Sequence, residues 1–262
     1  MAESHPFFAQ SRIYYRICKR NNIAFAIIPT QKSLNLGGTM QGEFLETMLL
    51  TFKIATITTL ILLPIGIFVG YFLAFCKKTY ALIIEVLVWM PLVLPPSVLG
   101  FYLLITFSPQ HFLGQWLLEN LNIKLVFSFE GLVLASVIFS LPFMINPIKD
   151  GFSSLPKSLK EASYTLGAGR FKTMFCILLP NIKSNILLGA ITSFVHTIGE
   201  FGVVMMIGGN IKGETKVASI AIYEEVDTIN MGLAHKYSFS LFLITFLLLL
   251  VIFFINKRMK ND

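Results

Sequence analysis

The sequence predicts an all-α integral membrane protein with about five transmembrane helices, and three observations carry that fold class. Of 262 residues, 55% are hydrophobic and 13% charged, with a mean hydropathy of +0.73; a soluble globule would lack the polar surface to cover its core. Five stretches, 54–75, 81–106, 131–148, 181–207 and 237–255, reach or approach the roughly 20 apolar residues that cross about 30 Å of hydrocarbon as a helix. When these spans alternate in direction, lysine and arginine collect on one side of the membrane.

The first four stretches carry helix breakers: Pro64, the Pro91/Pro95/Pro96 group, Pro142 with Pro147, and Gly199 with Gly202. Such residues are tolerated at membrane depth where helices bury one another or line a cavity, so these spans read as interior. The last, YSFSLFLITFLLLLVIFFI, has no proline, glycine or charge and reads as a peripheral, lipid-facing helix. The basic-rich side holds Lys77, Lys78, Lys149, Lys157, Lys160, Arg170, Lys172, Lys183, Lys257, Arg258 and Lys260, while the other holds Lys53, Lys124, Lys212, Lys216 and Lys236. Basic loops stay inside, which places 149–180 and the C-terminus in the cytoplasm. The net charge of +7 is then mostly these inward-facing residues and calls for no nucleic acid. Residues 1–39, with Arg12, Arg16, Lys19, Arg20 and Lys32, oppose the same rule. They are expected to be an N-terminal extension that is not native or is disordered, ahead of a membrane domain over 40–262.

Several chemistries find no support. Cys18, Cys76 and Cys176 share no metal-ligand spacing. His5, His111, His196 and His235 include no i, i+4 pair, and no G-x-S-x-G is present. GGNIKGET has the Gly208 to Gly213 spacing of a phosphate loop but Glu214 where lysine is required. No catalytic residue, metal or cofactor is assigned.

Between the third and fourth spans lies SSLPKSLKEASYTLGAGRFKTMFCILLP. Ser153 or Ser154 as N-cap, Pro156 near the first helical position, and Gly167 and Gly169 as terminators predict a short helix over about 156–166. Leu155, Leu159, Ala162 and Leu166 form one apolar stripe. A helix this short needs something to pack on, either its own protein's cytoplasmic surface or a groove on a partner.

Glu161, Ala162, Gly167, Ile177, Leu179 and Pro180 resemble the EAA loop of ATP-binding-cassette importer permeases, E-A-A-x3-G-x9-I-x-L-P, at every spacing, with Ser163 in place of the second alanine. The resemblance implies a MetI-like fold in which this loop is a coupling helix docking on a separate ATPase subunit. LPLVLPPSVLGFYLL and GEFGVVMMIGGNIKGETKVASIAIYEEV further resemble the molybdate-type permeases, more closely than the related sulfate/thiosulfate type. That implies a bacterial plasma-membrane protein working as a homodimer with two ATPase copies and an external molybdate-binding protein, without chemistry of its own. A secondary transporter driven by an ion gradient is the alternative of another class, for which only Glu85, His196 and Glu200 are available as ionisable groups in the spans.

Three further features concern the pathway. Pro95 and Pro96 must interrupt the helical ladder and mark a gate or a packing kink. Glu200, roughly 25 Å along the fourth span from Lys183, would repel an anion, so Gly199, Glu200 and Gly202 read as a broken helix with Glu200 in a structural or gating role. A His196–Glu200 hydrogen bond is open at i, i+4 spacing. The loop 208–217, with Lys212 and Lys216, reads as an external docking surface, or as a nest of N–H groups for an oxyanion.

Overall fold

The computed structural model describes residues 39–76 and 79–261, and among them all regular structure is helical. The extension expected over 1–39 lies, apart from Thr39, outside the described residues. Eleven helices follow in order: α1 (Thr39–Phe75), α2 (Thr79–Val93), α3 (Pro96–Phe107), α4 (Phe112–Leu121), α5 (Phe129–Ser154), α6 (Lys157–Thr165), α7 (Arg170–Asn181, with a π-turn at Met174–Leu178), α8 (Lys183–Gly199), α9 (Gly202–Gly208), α10 (Ala218–Asp227) and α11 (Met231–Asn261).

Three helices are individually long and apolar enough to cross a membrane: α1 from Gly42, α5, and α11 as far as Asn256. Counting α2 with α3 and α7 with α8 as broken spans gives five, the number the sequence predicts. These two are not straight, however: α2 and α3 meet at 110°, and α7 and α8 at 75°. The expected fourth span of 181–207 is therefore divided three ways, bending at Ile182 and interrupted again after Gly199. The last span matches its expected place at the periphery, with 6% of its most apolar window buried against 61% for α5.

Most of the prolines do not break anything. Pro64, Pro91, Pro142 and Pro147 all sit inside continuous helices. Pro147 cannot donate to the carbonyl of Phe143 one turn earlier; the Thr192 hydroxyl of α8 lies 3.0 Å from that oxygen, and Asn185 Nδ2 donates to the Pro147 carbonyl at 3.0 Å. The Thr192 hydroxyl is shared with the Leu188 carbonyl of its own helix at 2.8 Å, so the neighbouring helix offers the freed oxygen a shared donor. The approach is close because the facing residues are small: a Cβ on Gly189 would lie 3.0 Å from the Met144 carbonyl, and one on Gly66 of α1 would lie 2.4 Å from Met144 Cγ. Helix α5 is the centre of the bundle. Its start packs on α9 through Leu132, Ala135, Phe139, Val203 and Ile207, in an apolar cluster that Leu103 of α3 and Ile220 of α10 join, and its end packs with α1 and α7 through Leu62, Met144, Ile148, Phe152 and Leu178.

Candidate functional site

Two sites lie along α5, one at its C-terminal end and one beside its N-terminal half. The first is α6, which follows α5 after the turn at Leu155–Pro156. Its N-cap is Pro156 with no side-chain cap; Ser153 and Ser154, the expected caps, belong to the last turn of α5, where Ser154 Oγ donates to the Gly151 carbonyl at 2.8 Å. The two serines do not cap α6 because α5 runs nearly two turns beyond its apolar stretch of 131–148. The helix ends where Gly167 takes φ +76°. There the Gly167 N–H donates to Tyr164 at 3.0 Å and the Ala168 N–H to Ser163 at 3.0 Å, the left-handed closure that glycine adopts without strain. Gly169 is different: at φ −69° it precedes α7 in an extended conformation open to any residue.

The expected single stripe on α6 is split. Leu155 and Leu159 pack inward against the core under α1 and α5, whereas Ala162 is exposed and Leu166 is 87% exposed. The fully buried residue of α6 is Ser163. Its hydroxyl lies 2.8 Å from the Lys160 carbonyl and 2.9 Å from the buried Thr173 Oγ1 of α7. Serine in place of the family's alanine is therefore not a bare gain of volume: the added hydroxyl is satisfied by a partner ten residues on. Lys160 anchors the other edge, its Nζ standing 4.0 Å from the centre of the Phe75 ring. Held from behind in this way, the loop presents Glu161, Ala162 and Leu166 outward, with Phe171 and Phe175 of α7 also exposed. The two phenylalanines escaped the sequence reading; an aromatic pair at i, i+4 after Gly169 was the signal. Of the remaining motif residues, Ile177 and Leu179 are half-buried and Pro180 is exposed within α7.

The second site brings together residues more than a hundred positions apart. The chain breaks at Leu94–Pro95, and Pro96 opens α3. It breaks again after Gly199, where Glu200 and Phe201 leave helical geometry before Gly202 opens α9. The two breaks touch: a Cβ on Gly202 would lie 2.6 Å from Pro96 Cβ. Only glycine allows the pyrrolidine ring so near. Glu200 is buried, and its Oε1 accepts the Val203 N–H at 2.9 Å, capping α9, while its carbonyl accepts from Ser219 Oγ at 2.5 Å. Nothing pairs it with His196. Because α8 stops at Gly199, the i, i+4 relation does not hold across the break. His196 instead stacks on Phe143 at 3.9 Å between ring centres, and its Nδ1 lies 3.0 Å from Ser140 Oγ, which is 3.1 Å from Thr197 Oγ1. Glu85 pairs with Lys149, which accounts for it as a structural ion pair.

The loop before α10 pairs both of its lysines within the chain, Lys212 on the surface and Lys216 in the interior. Lys212 Nζ sits 2.7 Å from Glu43, and the buried Lys216 bridges Glu43 at 3.2 Å and Glu224 at 2.7 Å. Burial pulls the Lys216 pKa down, but the bonds to Glu224 and Glu43 outweigh it and leave it above the usual lysine value. The Thr215 hydroxyl accepts the Ile211 N–H at 2.8 Å and donates to the Gly208 carbonyl at 2.7 Å. These commitments engage Lys216 and the Ile211 N–H within the chain, two of the groups an oxyanion nest would draw on. Among the described residues no group of three or more His, Cys, Asp or Glu side chains could hold a metal.

Comparison with known proteins agrees with this layout. Residues 63–261 match the family of binding-protein-dependent transport system inner membrane components. The chain is 39% identical over 217 residues to the molybdenum transport system permease protein ModB of Azotobacter vinelandii, covering 82% of this chain and 95% of that one. It is 34% identical to ModB of Escherichia coli K12 over 70% of this chain and 80% of that one; a sulfate transport system permease of Nephroselmis olivacea is more distant, at 29% over 68% and 63%. Among solved structures, a bacterial ABC transporter importing the polysaccharide alginate superposes with a TM-score of 0.69 at 15% identity, over 97% of this chain and 98% of that one. The MetNI methionine ABC transporter gives 0.64 at 14%, over 85% and 99%. This chain belongs to the binding-protein-dependent transport system inner membrane components, a multi-pass membrane protein with the helical fold of the ABC permeases.

Proposed function

We propose that this protein is the permease subunit of an ATP-driven importer for molybdate. It passes the oxyanion from an external binding protein into the cytoplasm, with ATP hydrolysis in a separate subunit. The observation that carries the reading is the EAA-spaced loop: α6 is braced from behind by Ser163–Thr173 and Lys160, closed by Gly167 at φ +76°, and the loop presents a mixed face in which Tyr164, Leu166, Phe171 and Phe175 are exposed among polar side chains. Such a face suits a partner's groove. The relatives named for molybdenum transport supply the cargo, the more distant sulfate type being the second reading.

Two copies of the chain rock against each other as two attached ATPases close on ATP and reopen after hydrolysis, a rigid-body shift of population between inward and outward states. The junction of Pro95–Pro96 with Gly199, Glu200 and Gly202 serves as the gate region, beside the half of α5 away from the coupling loop. Glu200 acts there by capping α9 rather than by binding the anion, which its charge would repel. The basic residues near α6 and the C-terminus put both in the cytoplasm.

The test is genetic. Deletion should abolish molybdoenzyme activity, with rescue by high external molybdate. Unchanged molybdoenzyme activity together with a sulfate requirement would move the assignment to the sulfate type. Transport by the purified chain alone under a proton or sodium gradient would refute the ATP-driven reading.

A further inference from the structure

The face of the bundle opposite α6 is built as one tied unit. The Ala218 N–H, at the start of α10, donates to Thr51 Oγ1 of α1 at 2.9 Å, and Thr51 is buried and donates in turn to the Thr47 carbonyl at 2.7 Å. The bridge of Lys216 between Glu43 and Glu224 holds the same two helices together, and Met48, Ala218, Ala221 and Tyr237 pack between α1, α10 and α11. Loop 209–217 and α10 are therefore tied to the N-terminal part of α1. This unit meets the gate region by two kinds of contact. Ile220 packs in the apolar cluster with Val203 and Ile207, and Tyr223 lies 5.2 Å from the Phe201 ring; such contacts are non-directional and permit sliding. The Ser219 bond to the Glu200 carbonyl is directional and fixes register. It falls on the residue whose side chain caps α9, next to the Gly202–Pro96 contact.

We propose that Ser219 is a positioning residue whose hydroxyl, held on the Glu200 carbonyl, transmits displacement of loop 209–217 and α10 to the break where α9 meets Pro96. The external surface then controls the gate through one hydrogen bond. A carbonyl at a helix break must find a donor away from water, so the bond persists as the two parts move, and the break follows α10 rather than slipping past it. The inference rests on the importer reading, in which the binding protein approaches from the side opposite α6.

The experiment uses the permease with its ATPase in proteoliposomes, comparing basal ATP hydrolysis, hydrolysis with molybdate-loaded binding protein, and molybdate uptake. Ser219→Ala is expected to leave assembly and basal hydrolysis at wild-type levels while cutting the stimulation by binding protein at least five-fold, with uptake falling in proportion. Ser219→Thr, which keeps the hydroxyl, is expected to restore both. Wild-type stimulation in Ser219→Ala overturns the inference, as does equal loss in Ser219→Ala and Ser219→Thr, which would make the position a matter of packing. Loss of ATPase co-purification in Ser219→Ala also overturns it. A wild-type complex that responds to no oxyanion-loaded binding protein refutes the importer reading itself, and the inference with it.

Discussion

Gly167 offers the sharpest test of the coupling loop. Its φ of +76° lies in the left-handed region, and no heavy atom stands within 4 Å of where a Cβ would be. A side chain there meets no clash inside this chain, so its intramolecular effect is backbone strain alone, about 1–2 kcal/mol for a residue with a Cβ. That strain lowers the population of the seated loop by a factor of roughly 5–30. Gly167→Glu adds a carboxylate and bulk on the exposed side, where a partner would fit closely. Membrane levels and dimerisation should be kept, while ATPase co-purification and ATP-dependent uptake should be lost. Asparagine tolerates the left-handed region better than other non-glycine residues, so Gly167→Asn should recover much of the function. Gly169→Ala should be close to wild type, because Gly169 has φ −69° and also has open space around it. The assay is co-purification of the ATPase subunit with molybdate uptake in vesicles. If Gly167→Glu keeps both at wild-type levels while correctly inserted, the loop is a surface helix and the coupling argument fails.

Two other perturbations reach the far end of the bundle. Gly202→Ala places a Cβ 2.6 Å from Pro96 Cβ, and since a proline ring cannot swing aside, overpacking should cost about 1–3 kcal/mol. The expected result is a lower melting temperature in detergent and impaired uptake, and an unchanged melting temperature would show that the two breaks do not bear on each other. Lys216→Met leaves Glu43 and Glu224 without their shared cation; because both carboxylates keep some solvent, the loss should fall at or below the low end of about 3–5 kcal/mol. Since the folded pKa of Lys216 is raised, its contribution is complete below the ordinary lysine value and fades only as pH rises beyond it. The difference in melting temperature between wild type and Lys216→Met should therefore stay flat from about pH 7 to 9, and a decline within that window would refute the assignment.

Much of this protein follows from sequence alone because the bilayer imposes a one-dimensional rule. A chain with no water to satisfy its backbone must span as helix, so length and hydropathy suffice to find α1, α5 and α11, and the last, lacking any breaker, could be placed at the periphery; the five expected crossings are reached when each of the bent pairs α2–α3 and α7–α8 counts as one span. The short helix closed by Gly167 was equally legible, since its closure is local: Gly167 ends the helix by its own conformation, and the spacing from Glu161 to Pro180 is a property of one segment. What the sequence could not decide was which breaker breaks. Pro64, Pro91, Pro142 and Pro147 look the same in one dimension as Pro95 and Pro96. For Pro147, α8 brings Thr192 to the carbonyl it leaves unpaired, and such a donor is fixed only by packing. The partners of Glu200, Ser163 and Lys216 were hidden for the same reason. Their bonds reach Ser219, Thr173, Glu43 and Glu224, and a side chain buried in a low-dielectric interior takes whichever partner the tertiary fold delivers. The meeting of Pro96 with Gly202, two breaks from different spans, exists only because α3 packs on α9 while α9 packs on the start of α5.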